Sequence, residues 1–372
     1  MAAGSNDVIS LTNDIKLKES LEIKKTVNID LNNHNIETTE KVFMIQGGSL
    51  ELTGTGTIRE TKPNYGAIML KGSDDPNKEQ FSTVNVGKDI TLEGWSGIFI
   101  DHENKTGYGI LVNVDGKINA VNDVNGGTGI GVYVNGNIQH ENNSPIVNLG
   151  KNAKITSTGN GIYAAGYATY NINGAYISGE EAGLGIKSGV FNILDATIIG
   201  TGEDKTPTSG NNNGINASGA AIQIESNPGY KGNIELNIKN GNIKSKKSNV
   251  IYEYVVNGAD TRVKSINLSG GNYISDVKKD VFRLSDSFKT NHPNFISGGS
   301  YSSDPTSFLK TNYSASKNKD NLYEVTASTM LTFSQDDNNN SMLSIIVTIS
   351  LIILSVIVYL KREKIISLIK KA

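Results

Sequence analysis

The chain contains no cysteine among its 372 residues, which excludes disulfide bridges, thiolate metal sites and cysteine nucleophiles. Only seven prolines and one tryptophan are present, and few prolines are expected where most backbone N–H groups join strand ladders. Charge of neither sign dominates, since 35 Lys and Arg stand against 37 Asp and Glu without a basic stripe. This balance argues against a nucleic-acid partner.

Residues that turn the chain are abundant, with 40 glycines and roughly one asparagine in every eight residues. Many of the asparagines sit in a recurring triplet, apolar–Asn–apolar, which is followed by a short Gly-, Asn- or Asp-rich turn and a second apolar segment. The triplets occupy residues 27–29, 84–86, 112–114, 147–149, 170–172, 191–193, 236–238 and 266–268. Such a turn suits residues that tolerate positive φ or bond their own backbone.

The alternation within each triplet predicts a short strand with two side chains inward and the asparagine outward. Self-similar units of about 20–30 residues, without a helical period, are typical of a solenoid. Leucine-rich repeats are excluded because their leucine spacing is absent, and propellers need longer four-stranded units. The sequence therefore predicts an all-β protein, a parallel β-helix, over residues 7–303.

Residues 342–360 form a different kind of segment, MLSIIVTISLIILSVIVYL, which carries no charge. As a helix it would extend about 28 Å, close to the ~30 Å of a bilayer hydrocarbon core. Basic residues dominate the tail at 361–372. The positive-inside rule then predicts a single transmembrane helix, a cytoplasmic C-terminus and an extracellular solenoid in the cell membrane.

The remaining segments complete this plan. Residues 304–326 are predicted to cap the solenoid, beginning with a short helix at Asp304-Pro305, and residues 327–341 form a polar linker. The first residues, MAAGSND, lack a charged start and an apolar core, so export would require a signal peptide already removed. The alternative is a tail-anchored protein with a cytosolic solenoid.

Several strings resemble right-handed parallel β-helix proteins of the pectate-lyase-like superfamily. They are LELTGTGTI at 50–58, VNIDLNNHNI at 27–36, and ISGGSYSSDP at 296–305 followed by LYEV at 322–325. More narrowly, they resemble the non-enzymatic surface and adhesin-like members found in Gram-positive bacteria. The resemblance covers about residues 7–326 and implies a right-handed coil at a cell surface.

The same superfamily includes polysaccharide lyases and glycoside hydrolases. Its hydrolases carry a Gly-His-Gly motif and an Arg-x-Lys motif. This chain has Arg262-Val263-Lys264 but no Gly-His-Gly. Asp115 and Asp195 are candidates for paired carboxylates, although ordinary turn aspartates are the favoured interpretation. Asp101-His102-Glu103 does not predict a metal site, because neighbouring strand residues point to opposite faces. We predict no catalytic residue, cofactor or metal.

Two sets of side chains are candidates for a binding face. Stacked coils would place six asparagines in one exposed column, where amides can bond along the column, and four tyrosines cluster over two coils and suit contacts with a sugar or a protein. The sets are Asn113, Asn148, Asn171, Asn192, Asn237 and Asn267, and Tyr163, Tyr167, Tyr170 and Tyr176. A stabilising ladder and ordinary packing remain the alternative interpretations.

These observations predict a membrane-anchored extracellular β-helix that binds, adheres or acts as a spacer at the cell surface. Its expected partners are the bilayer, through residues 342–360, and a glycan or a cell-surface protein. A surface polysaccharide lyase or glycoside hydrolase and a purely structural stalk are the alternatives.

Overall fold

A computed structural model of the protein describes residues 7–101, 107–136, 138–207, 217–256, 258 and 262–328. The predicted transmembrane segment at 342–360, the basic tail at 361–372 and all but the first two residues of the linker lie outside the described residues, as do His102 and Glu103. The helices within the described ranges are too short to span a bilayer.

Strands make up most of the described chain. In chain order they are β1 Val8–Ser10, β2 Ile15–Lys16, β3 Leu21–Ile23, β4 Thr26–Asp30, β5 Ile36–Thr38, β6 Phe43–Gln46, β7 Ser49–Thr53, β8 Gly56–Glu60, β9 Ile68–Lys71, β10 Ser82–Val86, β11 Ile90–Gly94, β12 Ser96–Asp101, β13 Ile110–Val114, β14 Lys117–Ala120, β15 Ile130–Val134, β16 Ile146–Leu149, β17 Lys154–Ser157, β18 Asn160–Ala164, β19 Thr169–Gly179, β20 Ala182–Ile186, β21 Gly189–Gly200, β22 Ala220–Ser226, β23 Ile234–Ile238, β24 Asn242–Ser245, β25 Ile251–Val255, β26 Val263–Leu268, β27 Asn272–Ser275, β28 Phe282–Arg283, β29 Gly299–Tyr301, β30 Tyr313–Lys317 and β31 Tyr323–Ala327.

The strands up to β29 fall into three series, and each strand pairs in parallel with the strand one coil away. The first face holds β1, β4, β7, β10, β13, β16, the first half of β19, the first half of β21, β23 and β26. The second face holds β2, β5, β8, β11, β14, β17, the second halves of β19 and β21, β24, β27 and β29. The third face holds β3, β6, β9, β12, β15, β18, β20, β22, β25 and β28.

The order first, second, third repeats ten times through the described residues, so each repeat is one coil. Equivalent residues of successive coils lie 21 residues apart between Asn171 and Asn192, and 45 apart between Asn192 and Asn237, where a long loop follows β21. The structure confirms the predicted all-β organisation, with long parallel sheets consistent with a β-helix.

Aliphatic side chains fill the interior because each inward position repeats from coil to coil. On the second face Ile118, Ile155 and Ile177 stand in register, each fully buried. Aromatic pairs continue the same stacking, with the rings of Tyr170 and Phe191 4.2 Å apart. Burying one such side chain contributes about 1.5–3 kcal/mol, so the repeated interior supplies most of the driving force for folding.

The C-terminal end is closed by irregular elements. Helix α1 (Asp286–Asn291) is capped by Ser285 and was not predicted. The predicted helix at Asp304-Pro305 is instead a 3₁₀ turn at Thr306–Phe308, with Asp304 Oδ1 accepting from the Thr306 N–H at 2.9 Å. Strand β31 then pairs antiparallel with β29 and β30, which covers the last parallel edge.

Candidate functional site

The structure places the predicted asparagines in one column on the first face, and the column begins one coil earlier, at Asn85. Each residue is the register partner of the next. Each Nδ2 donates to the Oδ1 of the preceding asparagine, at 2.7 to 3.3 Å. This asparagine column comprises Asn85, Asn113, Asn148, Asn171, Asn192, Asn237 and Asn267.

All six amide hydrogen bonds run in the same direction, so the amide dipoles add. The oxygen at the C-terminal end belongs to Asn267, and it accepts a hydrogen bond from Lys310 Nζ at 3.1 Å. At the other end the register partner of Asn85 is Glu51. A cation therefore stands at the oxygen end of the column and an acid at the N–H end, the arrangement that aligned dipoles favour.

The asparagine column is open to solvent. Asn171 and Asn192 are exposed and the others half-buried. Because an amide has two N–H groups and two lone pairs, each asparagine keeps hydrogen-bonding capacity toward solvent. The ladder therefore stabilises the stack and still offers a flat polar strip.

The two candidate aspartates lie on this side of the solenoid but not together. Asp115 accepts hydrogen bonds from the N–H of Asn152 at 3.1 Å and from its Nδ2 at 2.6 Å, across one coil. Asp195 is exposed and lies at a register irregularity opposite Asn173. Three coils of about 4.8 Å separate the two carboxylates, so they do not face one glycosidic bond.

The four tyrosines do not form a strip with the asparagine column. Tyr170 is fully buried and stacks inside the solenoid, so it is removed from any surface. Tyr163 and Tyr167 are 4% and 6% exposed. Tyr176 is half-exposed on the second face, where Lys154 Nζ lies 5.6 Å from its ring centre. These tyrosines are close in sequence, but their side chains point in different directions around the coil and do not form one surface.

The third face carries a buried polar cluster that sequence reasoning missed. Lys187 Nζ lies 3.1 Å from Glu225 Oε2, and both residues are 1% exposed. Lys187 also donates to the Tyr230 hydroxyl at 3.3 Å and lies over the Tyr230 ring, 4.4 Å from its centre. Tyr254 and Asn227 donate to the Glu225 carboxylate. The buried charges of Lys187 and Glu225 therefore compensate each other, and hydrogen bonds from neighbouring side chains complete the cluster.

Aromatic side chains continue along the outside of the third face. The Phe99 and Tyr133 rings stack at 4.7 Å, and Trp95 meets both edge-on. Burial raises the pKa of Tyr133 to about 12, with the neighbouring Tyr230 and Asp101 adding to the effect. The Trp95, Phe99 and Tyr133 side chains are all half-buried, so each keeps some contact with solvent.

Two carboxamides on the third face have atoms without a hydrogen-bond partner. Asn160 is fully buried, and neither its Nδ2 nor its Oδ1 is bonded; Gln223 Oε1 is likewise unpaired. The Asn160 amide lies over Gly185, where a Cβ would come within 2.3 Å of Nδ2. Unpaired buried polar groups are costly and rare, so the third face carries an unsatisfied polar spot.

A cleft of roughly 470 Å³ runs along the corner between the second and third faces. We call it the corner cleft; it is lined by Thr128, Thr158, Glu180, Glu181, Thr201, Gly202, Glu203, Lys205, Ala217 and Lys247. Burial raises the pKa of Glu181, whose Oε1 accepts from the Thr128 hydroxyl at 3.1 Å. Lys247 pairs with Glu203.

Neither feature was evident from the sequence. Glu225 lies at an outward position of β22 and Lys187 directly follows β20, positions that alternation assigns to solvent, and the corner residues lie in turns. Only packing of a loop that contains Tyr230 against the third face buries the ion pair. Among the described residues, no three His, Asp or Glu side chains are arranged to hold a metal ion. Comparison of the chain with protein-family models, with curated proteins and with solved structures finds no match.

Proposed function

We propose that this protein is a membrane-anchored cell-surface solenoid that binds a glycan or a protein of the envelope, or acts as a spacer there. The observation that carries the proposal is the asparagine column, a bonded polar ladder on one face of ten stacked coils. A stiff body with open polar surfaces suits a binder or a spacer, because little conformational entropy is lost on contact.

The right-handed, pectate-lyase-like character of the coil belongs to the same proposal. It is supported by the parallel pairing through all three faces and by the general rule that crossovers between parallel strands are right-handed. The extracellular location and the membrane anchor rest on the uncharged segment at 342–360 and the basic tail that follows it.

The location is tested by labelling intact cells that express the full chain. An epitope inserted at the exposed turn around Gly126 should react with antibody on unbroken cells, and one at the C-terminus only after permeabilisation. The reverse pattern would support the tail-anchored arrangement with a cytosolic solenoid.

Binding is tested with the full chain in proteoliposomes, which are mixed with purified envelope glycans and sedimented. Retention of a glycan without change in its length supports the binding role. Shortening of the glycan with turnover would favour the lyase or hydrolase alternative, and retention of no envelope glycan or protein would leave the spacer role alone.

A further inference from the structure

We infer that the corner cleft is a glycan-binding site of this protein, and that it takes an uncharged sugar chain rather than a polyanion. The inference rests on the proposed surface-binding function and adds a sugar site at the corner cleft to the asparagine column that carries that proposal.

The corner cleft runs along one edge of the solenoid. Every residue of the corner cleft lies in a turn that leads from the second face to the third, in five successive coils. Thr128, Thr158 and Glu181 mark three of these turns. Five coils at about 4.8 Å spacing give a furrow roughly 20 Å long that runs parallel to the solenoid axis. An elongated furrow suits a chain ligand better than a compact metabolite.

The lining of the corner cleft is rich in hydroxyl groups, which both donate and accept hydrogen bonds as sugar hydroxyls do. The Thr128 and Thr201 hydroxyls donate to Glu181 and to the Gly179 carbonyl, and the Thr158 hydroxyl accepts from the Gly129 N–H. Each hydroxyl therefore keeps hydrogen-bonding capacity for a ligand. Beside them, Glu181 Oε2 is buried and has no hydrogen-bond partner.

The charged side chains of the lining include more acids than bases. The corner cleft contains Glu180, Glu181 and Glu203 against Lys205 and Lys247. Lys247 is engaged by Glu203, and the charge of Lys205 acts on Glu181. No basic excess remains in the lining to attract carboxylates or phosphates, and exposed Glu180 repels them. An uncharged sugar chain needs no basic excess for binding and is not repelled by Glu180.

An aromatic residue, Trp95, lies at one end of the corner cleft. Trp95 Nε1 donates to the Thr128 carbonyl at 2.9 Å, which holds the half-buried indole beside the cleft. Indole rings pack against the apolar faces of sugars. Trp95 is also the only tryptophan of the chain, so its fluorescence reports on this one place.

The test uses the full chain in detergent, titrated with tetramers of N-acetylglucosamine, glucose, mannose and galacturonate while Trp95 emission and binding heat are recorded. We expect at least one uncharged tetramer to shift the emission, with an affinity that changes little between low and high salt. We expect the galacturonate tetramer to bind at least tenfold more weakly.

Thr158→Val and Glu181→Gln should each weaken the binding of that tetramer roughly three- to tenfold, the effect of one lost hydrogen bond. Thr156→Val is the matched control, because Thr156 lies two residues away and bonds Asn119 on the second face. It should leave binding unchanged. Thermal unfolding of each variant verifies that it folds.

Absence of binding by every uncharged tetramer, equal binding of galacturonate, or equal effects of Thr158→Val and Thr156→Val would overturn the inference. Its failure is distinguishable from failure of the surface-binding role. If proteoliposomes retain an envelope glycan while the Thr158→Val protein binds it normally, the cleft assignment is wrong and the surface role stands.

Discussion

Lys310 ends the asparagine column by donating from Nζ to Asn267 Oδ1 at 3.1 Å. The two residues are 43 positions apart in sequence, and Lys310 follows the 3₁₀ turn that helps to close the solenoid. The capping segment is thereby tied electrostatically to a ladder that runs the length of seven coils. The contact joins the polar outside of the solenoid to the element that covers its end.

Lys310→Met should therefore loosen the C-terminal cap. The side chain is half-buried, so methionine keeps the aliphatic packing and removes only the charged donor. We expect a loss of about 1–2 kcal/mol in the free energy of unfolding, because a hydrogen bond to a charged group is worth slightly more than a neutral one. The rate of amide hydrogen exchange in β31 should also be higher in this variant than in the wild type. Lys319→Met, at an exposed position, is the control; equal effects of the two variants would contradict the capping role.

Asn171→Ala should remove two bonds of the ladder at once, those to Asn148 and Asn192. Because the site is exposed, water partly replaces both, and the expected cost is about 1–2 kcal/mol. Urea unfolding followed by far-UV dichroism measures it. Asn173→Ala, also exposed but outside the column, should change the stability by less than about 0.5 kcal/mol. If the two variants behave alike, the ladder contributes nothing measurable.

Lys187→Met should leave the buried Glu225 carboxylate without its cation, a change that typically costs about 3–5 kcal/mol. Adding Glu225→Gln removes the uncompensated charge and keeps one acceptor oxygen for Asn227, while the new amide N–H can donate to the Tyr254 hydroxyl. The double variant should therefore be more stable than Lys187→Met alone. A double-mutant cycle from denaturation midpoints gives the coupling. Additive losses would mean that the two charges do not interact in the folded protein.

Glu181 makes stability depend on pH in a direction that can be checked. Burial raises its pKa in the folded protein above the ordinary value, so the folded state binds the proton more tightly than the unfolded state. Stability is then lost as pH rises from below about 4.5 through the folded-state pKa. Glu181→Gln should melt higher than wild type at pH 7 and equally at pH 3, as measured by thermal unfolding. A variant that melts lower at pH 7 would show that the charged form is stabilised.

The structure of the repeating parts of this protein could be predicted from its sequence. A triplet such as 191–193 places one asparagine between two apolar residues, and in a stacked coil that order alone fixes which side chain points outward. Register then follows, because a slip by one residue would turn Asn192 inward and expose its apolar neighbours. For the same reason six members of the asparagine column could be predicted from the sequence, and the seventh, Asn85, lies in a triplet of the same kind.

The non-repeating parts were not readable, because they depend on loops that pack back onto the coils. Tyr170 looks like its neighbour Tyr163, yet one lies inside the solenoid and the other under Tyr230 on the third face. Lys187 occupies an outward position that alternation assigns to water, and tertiary packing buries it. The corner cleft combines five turns separated by up to about 120 residues, which no local pattern brings together.

The most direct test of the central claim, that this solenoid binds at the cell surface, is retention of envelope material by the full chain in proteoliposomes. The account predicts that an uncharged envelope glycan co-sediments with them at unchanged length and is released by an excess of the tetramer that shifts Trp95 emission. Recovery of no envelope glycan or protein above protein-free liposomes would contradict it.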